Sequence, residues 1–186
     1  MSMDARRVSK RLSYVLRHAP QSVGVELDEA GWVDVDVLLD AVGRHGLRLT
    51  RAELDAVVAG SDKQRFALDP AGRRIRASQG HSVPVDLGYG PASPPAELFH
   101  GTPVRNVPAI MREGLRPGNR HAVHLSPDVA TAAAVGARRG AHAVLRVDAA
   151  AMAAGGHVFQ VSANGVWLVA AVPPRYLSLS PAGRRP

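Results

Sequence analysis

The chain has 186 residues, 46% of them hydrophobic and 21% charged. That is enough apolar content for one compact domain or two small ones, and too much for a disordered chain. Cysteine is absent, which removes disulfides, thiolate zinc sites, iron–sulfur clusters and a cysteine nucleophile. The net charge is +7, and of 23 basic side chains only Lys10 and Lys63 are lysines. Arginine's rigid fork of donors matches phosphate oxygens in pairs, so an anionic partner competes with the plainer explanation of arginine-rich codon usage.

No stretch approaches the roughly 20 uncharged apolar residues that a membrane span needs, and MSMDARRVSK lacks the apolar segment of a signal peptide. A cytoplasmic protein with no membrane partner is expected. Taken in chain order, the first elements are helical. Val8, Leu12, Val15 and Leu16 line one face of a helix from about Ala5 to His18, stopped by Pro20. Val35, Leu38, Leu39 and Val42 predict a second helix over Trp32 to Arg44. Thr50 followed by Glu53 is a capping box that opens a third, with Leu54, Val57 and Val58 inside. RFAL (65–68) and RRIRA (73–77) flank a Pro/Gly turn and predict a β-hairpin. Three helices and a ribbon are, by analogy of fold, a winged-helix arrangement.

GHSVPVDLGYGPASPP (80–95) reads as a linker. Beyond it strands and helices alternate. ELFHGT (97–102), HAVHLS (121–126), AVLRV (143–147), HVFQV (157–161) and GVWLVAAV (165–172) are strands, and Val104 to Arg112 and Asp128 to Arg138 are helices. Residues 1–81 hold 13 basic and 11 acidic side chains, whereas residues 82–186 hold 10 and 5. The excess of positive charge therefore sits in the second half, which argues against a DNA-reading helix in the first half as the sole function.

Several positions have chemistry to offer. Arg17 and His18 fall at the end of the first helix, where a cation also suits the helix dipole. Lys63 and Arg65 are two apart at the start of a strand and so share a face. His100 ends a strand before Gly101 and Thr102, where a backbone without Cβ admits close approach of a ligand; His100 is placed to meet a ribose hydroxyl. Asn119 and Arg120 precede a strand in a loop, free to reach a phosphate. His121 and His124, three apart on a strand, point to opposite faces, so no metal is expected.

The motifs LRHAP (16–20), GW (31–32), KQRF (63–66), IRASQGHS (75–82), LFHGT (98–102), GL (114–115), VHLS (123–126) and NGVWL (164–168) occur in an order and spacing that closely resembles the RNA 2′-phosphotransferases of the KptA type. The resemblance covers nearly the whole chain. It implies an α+β protein, with a winged-helix RNA-binding lobe over residues 1–80, a linker over 81–95, and an ADP-ribosyltransferase-like split β-sandwich over 96–186. It implies removal of an internal 2′-phosphate from RNA, of the tRNA splice-junction type, and its passage to NAD⁺ as co-substrate. The expected route runs through an ADP-ribosylated 2′-phospho-RNA and yields nicotinamide, 2′-OH RNA and ADP-ribose 1″,2″-cyclic phosphate. By motif, Arg17, His18, Arg65 and Arg120 match the family's catalytic set. His100, Gly101 and Thr102 would lie on NAD⁺, with His124 and Ser126 beside the nicotinamide ribose. Val166 stands where protein-modifying relatives carry a glutamate, and Ser78 where this family often has asparagine. A monomer is expected.

These residue types suit that reaction. A phosphate monoester is already anionic at neutral pH and needs no carboxylate base, and a glutamate at position 166 would repel it. Arginine forks stabilise charge building on a phosphoryl group. His18 is the candidate for proton transfer, because arginine stays protonated, or else it positions the phosphate. Two rival readings stand beside this one. The first is an ADP-ribosyltransferase acting on terminal phosphates of nucleic acid, compatible with every residue above. The second is a winged-helix DNA-binding regulator, for which the presumed recognition segment RAELDAVVAG (51–60) is poorly suited.

Overall fold

The computed structural model describes residues 4–61 and 64–181, with Arg139 described by its backbone only. Lys63, Arg184 and Arg185 lie outside the described residues. The chain divides into two compact units, Met1–Gly88 and Tyr89–Pro186.

In the first unit, Asp4 accepts the amides of Arg6 and Arg7 and so starts α1 (Ala5–Arg17). The helix turns Val8, Leu12, Val15 and Leu16 inward, each at most 1% exposed. Proline then redirects the chain into a 3₁₀ turn over Pro20–Val23. The second predicted helix starts three residues later than expected. Val33–Asp34 forms a short strand, β1, paired with the ribbon through Val33 and Ile75. The Asp34 carboxylate then accepts the Asp36 and Val37 amides to open α2 (Val35–Arg44). The capping box of Thr50 and Glu53 opens α3 (Arg51–Ala59) as read. The hairpin is β2 (Phe66–Leu68) and β3 (Arg74–Ala77), and the sheet order is β1-β3-β2, all antiparallel. Leu12, Leu16, Leu38, Leu54 and Ile75 are completely buried at the centre of this unit.

The start of the Pro/Gly/Ser-rich stretch is bound into this unit. The Ser82 amide donates to the Arg17 carbonyl (2.8 Å) and the Asp86 amide to that of Glu29 (2.7 Å). His81 is buried beside Gly31. Arg76 lies over the Trp32 ring at 4.5 Å and donates to the carbonyls of Ala30 and Leu87. The GW and GHS motifs thus hold the same patch of structure.

The second unit comprises β4 (Glu97–Pro103), α4 (Val107–Glu113), β5 (Val123–Leu125), α5 (Val129–Gly136), β6 (His142–Asp148), α6 (Ala149–Ala154), β7 (Phe159–Val161), β8 (Trp167–Val169) and β9 (Leu177–Leu179). Two antiparallel sheets, β4-β6-β9 and β5-β8-β7, enclose a core of Leu98, Leu125, Leu145, Met152 and Phe159. Paired amides join the sheets: Phe99 N–H donates to Ser126 O (2.9 Å) and Ser126 N–H to Phe99 O (2.7 Å). Strands β5, β7 and β8 are shorter than their hydrophobic runs. Neither α6 nor β9 is predicted by the sequence. Both are short, and AAAMAA has no polar face to give it a helical period.

The architecture is thus mixed α+β, with six α-helices and three small sheets among the described residues. No described helix is long and apolar enough to cross a membrane.

Candidate active site

The first unit gathers Arg17, His18 and Arg65 at the C-terminal end of α1. Arg17 is the last helical residue, and its Nη2 donates to the Arg65 carbonyl at 3.4 Å. Arg65 itself follows Gln64, held at a φ of 39°, and its amide reaches the Ser61 hydroxyl (3.3 Å). Ser78, buried at the end of the hairpin, secures this bend. Its hydroxyl donates to Gln64 O (2.7 Å) and its amide to Arg65 O (2.9 Å).

His18 caps the helix, exposed, with Nδ1 2.9 Å from the Ser82 hydroxyl. The Ser82 hydroxyl also lies 3.5 Å from the Arg17 carbonyl, so the segment after the hairpin holds the imidazole by its Nδ1 side. Sequence reasoning gives neither Ser78 nor Ser82 a task. The signal was available, since both lie in IRASQGHS, but only the return of that segment against Arg17 reveals what they touch.

The second unit gathers His100, Arg120, His124 and Ser126 where its two sheets meet. Arg120 Nη1 donates to His124 Nδ1 at 2.8 Å, so that imidazole carries its proton on Nε2. The His124 carbonyl accepts from His100 Nδ1 at 3.0 Å, leaving His100 Nε2 as an acceptor. Burial holds the His100 pKa below its usual 6.5, the hydrogen bond to His124 partly opposes this, and the Arg120 charge adds to the lowering. His100 is therefore neutral at pH 7. Leu125 pairs with Trp167 across β5 and β8. The pairing of these two strands ends there: Ser126 instead bridges Phe99, and Val166, the residue before Trp167, pairs with Ser162.

Gly101 meets a packing demand besides the ligand contact its motif suggests. A Cβ there would stand 1.8 Å from the Ala132 carbonyl oxygen, and one on Gly136 would stand 3.2 Å from the Thr102 nitrogen. The two glycines let the small-residue helix α5 lie directly on β4. The opposite edge of the strand is another matter. In an antiparallel pair successive residues turn their amides to alternate edges. Since Phe99 faces Ser126, the Gly101 N–H and C=O face the same way, one pair beyond the bridge. No strand pairs with them there among the described residues. Thr102 is buried at 3% exposure, and its hydroxyl accepts from Asn106 (3.4 Å), so its side chain is committed inward.

The described residues thus hold two clusters of arginine and histidine, one of them beside an open strand edge. Comparison with known proteins names the class. The profile of the RNA 2′-phosphotransferase, Tpt1 / KptA family matches residues 3–171. A "Probable RNA 2'-phosphotransferase" of Streptomyces griseus is 59% identical, with 95% of this chain and 99% of that one aligned. Proteins with the same description from Streptomyces coelicolor (60%, covering 92% and 93%) and Nostoc punctiforme (52%, covering 92% and 94%) match over a similar span. The chain belongs to the RNA 2′-phosphotransferase, Tpt1 / KptA family.

Proposed function

We propose that this protein is an NAD⁺-dependent RNA 2′-phosphotransferase that removes an internal 2′-phosphate, of the kind left at a tRNA splice junction. The observation that carries the reading furthest is the Arg120–His124–His100 hydrogen-bond chain beside the open edge of β4. A neutral His100 with Nε2 as acceptor suits a ribose hydroxyl. The outward N–H and C=O of Gly101 suit a carboxamide, which needs one acceptor and one donor side by side. Ser126, bridged to Phe99 at the end of β5, and Val166, just before β8, bring no carboxylate to this region. These features fit the co-substrate NAD⁺, which supplies a ribose carbon activated by its pyridinium leaving group. Thr102 contributes through its backbone and packing.

The winged-helix lobe, in this reading, binds the 2′-phosphate. Arg17 and Arg65 hold its oxygens, and Arg120 neutralises charge as the phosphoryl group is transferred. His18, its Nδ1 fixed by Ser82, directs Nε2 toward the proton that must move in the transesterification. The products are nicotinamide, 2′-OH RNA and ADP-ribose 1″,2″-cyclic phosphate, by way of an ADP-ribosylated 2′-phospho-RNA. No membrane partner or second subunit enters the scheme.

The DNA-regulator alternative is disfavoured by α3. Its one arginine, Arg51, is engaged by Asp55 (2.9 Å) and by the Gly72 carbonyl (2.7 Å), which leaves no guanidinium for a base edge. The reading is tested by incubating the protein with a 2′-phosphorylated oligoribonucleotide, with and without NAD⁺. Conversion to 2′-OH RNA with stoichiometric nicotinamide release, only when NAD⁺ is present, is the expected result. ADP-ribose left on terminal phosphates, with internal 2′-phosphate untouched, would instead identify the terminal-phosphate transferase.

A further inference from the structure

The exposed face of α1 carries a feature that the reaction above does not use. At 100° per residue, positions 7, 10, 11, 14, 17 and 18 fall within about 120° of arc. That stripe reads Arg7, Lys10, Arg11, Tyr14, Arg17, His18. Its first four members line a groove of about 1090 Å³, closed on its other side by Arg48 and its neighbours in the loop between α2 and α3.

The cations of this groove carry no ion pair, a state they share with Arg6, Arg65 and Arg73 in the same unit, but only here, among the described residues, do several of them line one groove with an exposed aromatic ring. Elsewhere in the unit, Arg44 pairs with Asp40, Arg51 with Asp55, and Arg74 with Asp28 and Asp69. Arg7, Lys10, Arg11 and Arg48 make no ion pair among the described residues. The groove also contains Asp4 and Glu53, but both carboxylates are turned to helix caps, Asp4 on the amides of Arg6 and Arg7 and Glu53 on Thr50. Four unpaired cations against two engaged carboxylates leave a positive channel.

The channel has a direction. Tyr14 is 48% exposed and its ring centre stands 6.3 Å from that of His18. The distance along the axis from Arg7 to His18 is about 16 Å, the reach of a few nucleotides. Unpaired guanidinium and ammonium groups spaced along a groove, followed by an exposed aromatic ring, are the two components of a sequence-independent single-strand site: charge for the backbone and a face for a base.

We propose that this groove binds the sugar–phosphate backbone of the RNA strand flanking the 2′-phosphorylated nucleotide, with Tyr14 stacking on a base next to it. The inference rests on the reading of RNA as substrate and extends it to the flanking strand. It makes substrate length a determinant of affinity without any sequence requirement.

The test compares wild type with an Arg7→Gln/Lys10→Gln/Arg11→Gln triple variant on two substrates, a 2′-phosphorylated dinucleotide and a 2′-phosphorylated dodecamer, at several salt concentrations. The dinucleotide can reach Tyr14 but is too short to extend to Arg7, Lys10 and Arg11 beyond it. The variant is expected to match wild type on it, which also certifies its fold, and to lose tenfold or more in kcat/KM on the dodecamer through KM. Fluorescence anisotropy with an unphosphorylated dodecamer is expected to show a salt slope reduced by roughly 2, about 0.7 for each of three lost phosphate contacts. Equal losses on both substrates, or an unchanged dodecamer KM, would overturn the proposal. If wild type turns over neither substrate, the phosphotransferase reading fails, and the anisotropy slopes alone decide the groove: a reduced slope sustains it and an unchanged slope rejects it.

Discussion

At the scale of single residues, the first cluster is held by serine side chains that do no chemistry themselves. Arg17 and Arg65 are proposed to carry the phosphate, and alanine at either is expected to lower turnover by about 10²–10³-fold, the usual cost of removing one electrostatic donor from a transition state. Ser82 belongs to a different category. It fixes the His18 ring through a 2.9 Å hydrogen bond, worth on the order of 1 kcal/mol. Ser82→Ala should therefore lower kcat roughly fivefold with KM little changed, and Ser82→Thr should restore most of it. Equal losses in the alanine and threonine variants would show that the hydroxyl is not what matters. The motif IRASQGHS contained this residue in plain view. Its role was illegible because a hydrogen bond between positions 64 apart in sequence leaves no local pattern.

At the scale of elements, the sequence was most legible where a local rule determines the outcome. The α1 period, the Thr50–Glu53 capping box and the turn from Asp69 to Gly72 depend on neighbours in sequence, and each appears as read. Legibility failed where a tertiary partner decided. Val33 left its predicted helix because Ile75 offered a ladder partner, and β9 exists because β6 has an edge to cover. Gly101 shows the same division. Its motif pointed to a ligand, while the packing shows a second demand from the opposite face. Gly101→Ala should destabilise the second unit by roughly 3 kcal/mol, since α5 must move away from β4. Chemical denaturation checks this, and a variant as stable as wild type would mean that α5 does not approach β4 so closely.

At the scale of the whole molecule, pH links the candidate site to stability. His100 is held neutral, its folded pKa below the unfolded value of about 6.5. Between those two values the unfolded chain binds more protons, so stability is complete above about pH 6.5 and declines as pH falls through that window. The urea midpoint should drop on going from neutral to mildly acidic pH, and the drop should be smaller in His100→Gln. An imidazole NMR titration gives the same information directly. His100 should titrate below 6.5, and Arg120→Gln should raise its midpoint by removing a nearby positive charge. A His100 midpoint at or above 6.5 would contradict the burial argument.

The destination of the phosphate is the decisive observable. An oligoribonucleotide carrying a radiolabelled internal 2′-phosphate, mixed with the protein and NAD⁺ in a single turnover, reports its destination. The label is expected to leave the RNA and appear in a small molecule that also contains ADP-ribose. Label released as inorganic phosphate, or lost from RNA at the same rate without NAD⁺, would contradict transfer to the dinucleotide.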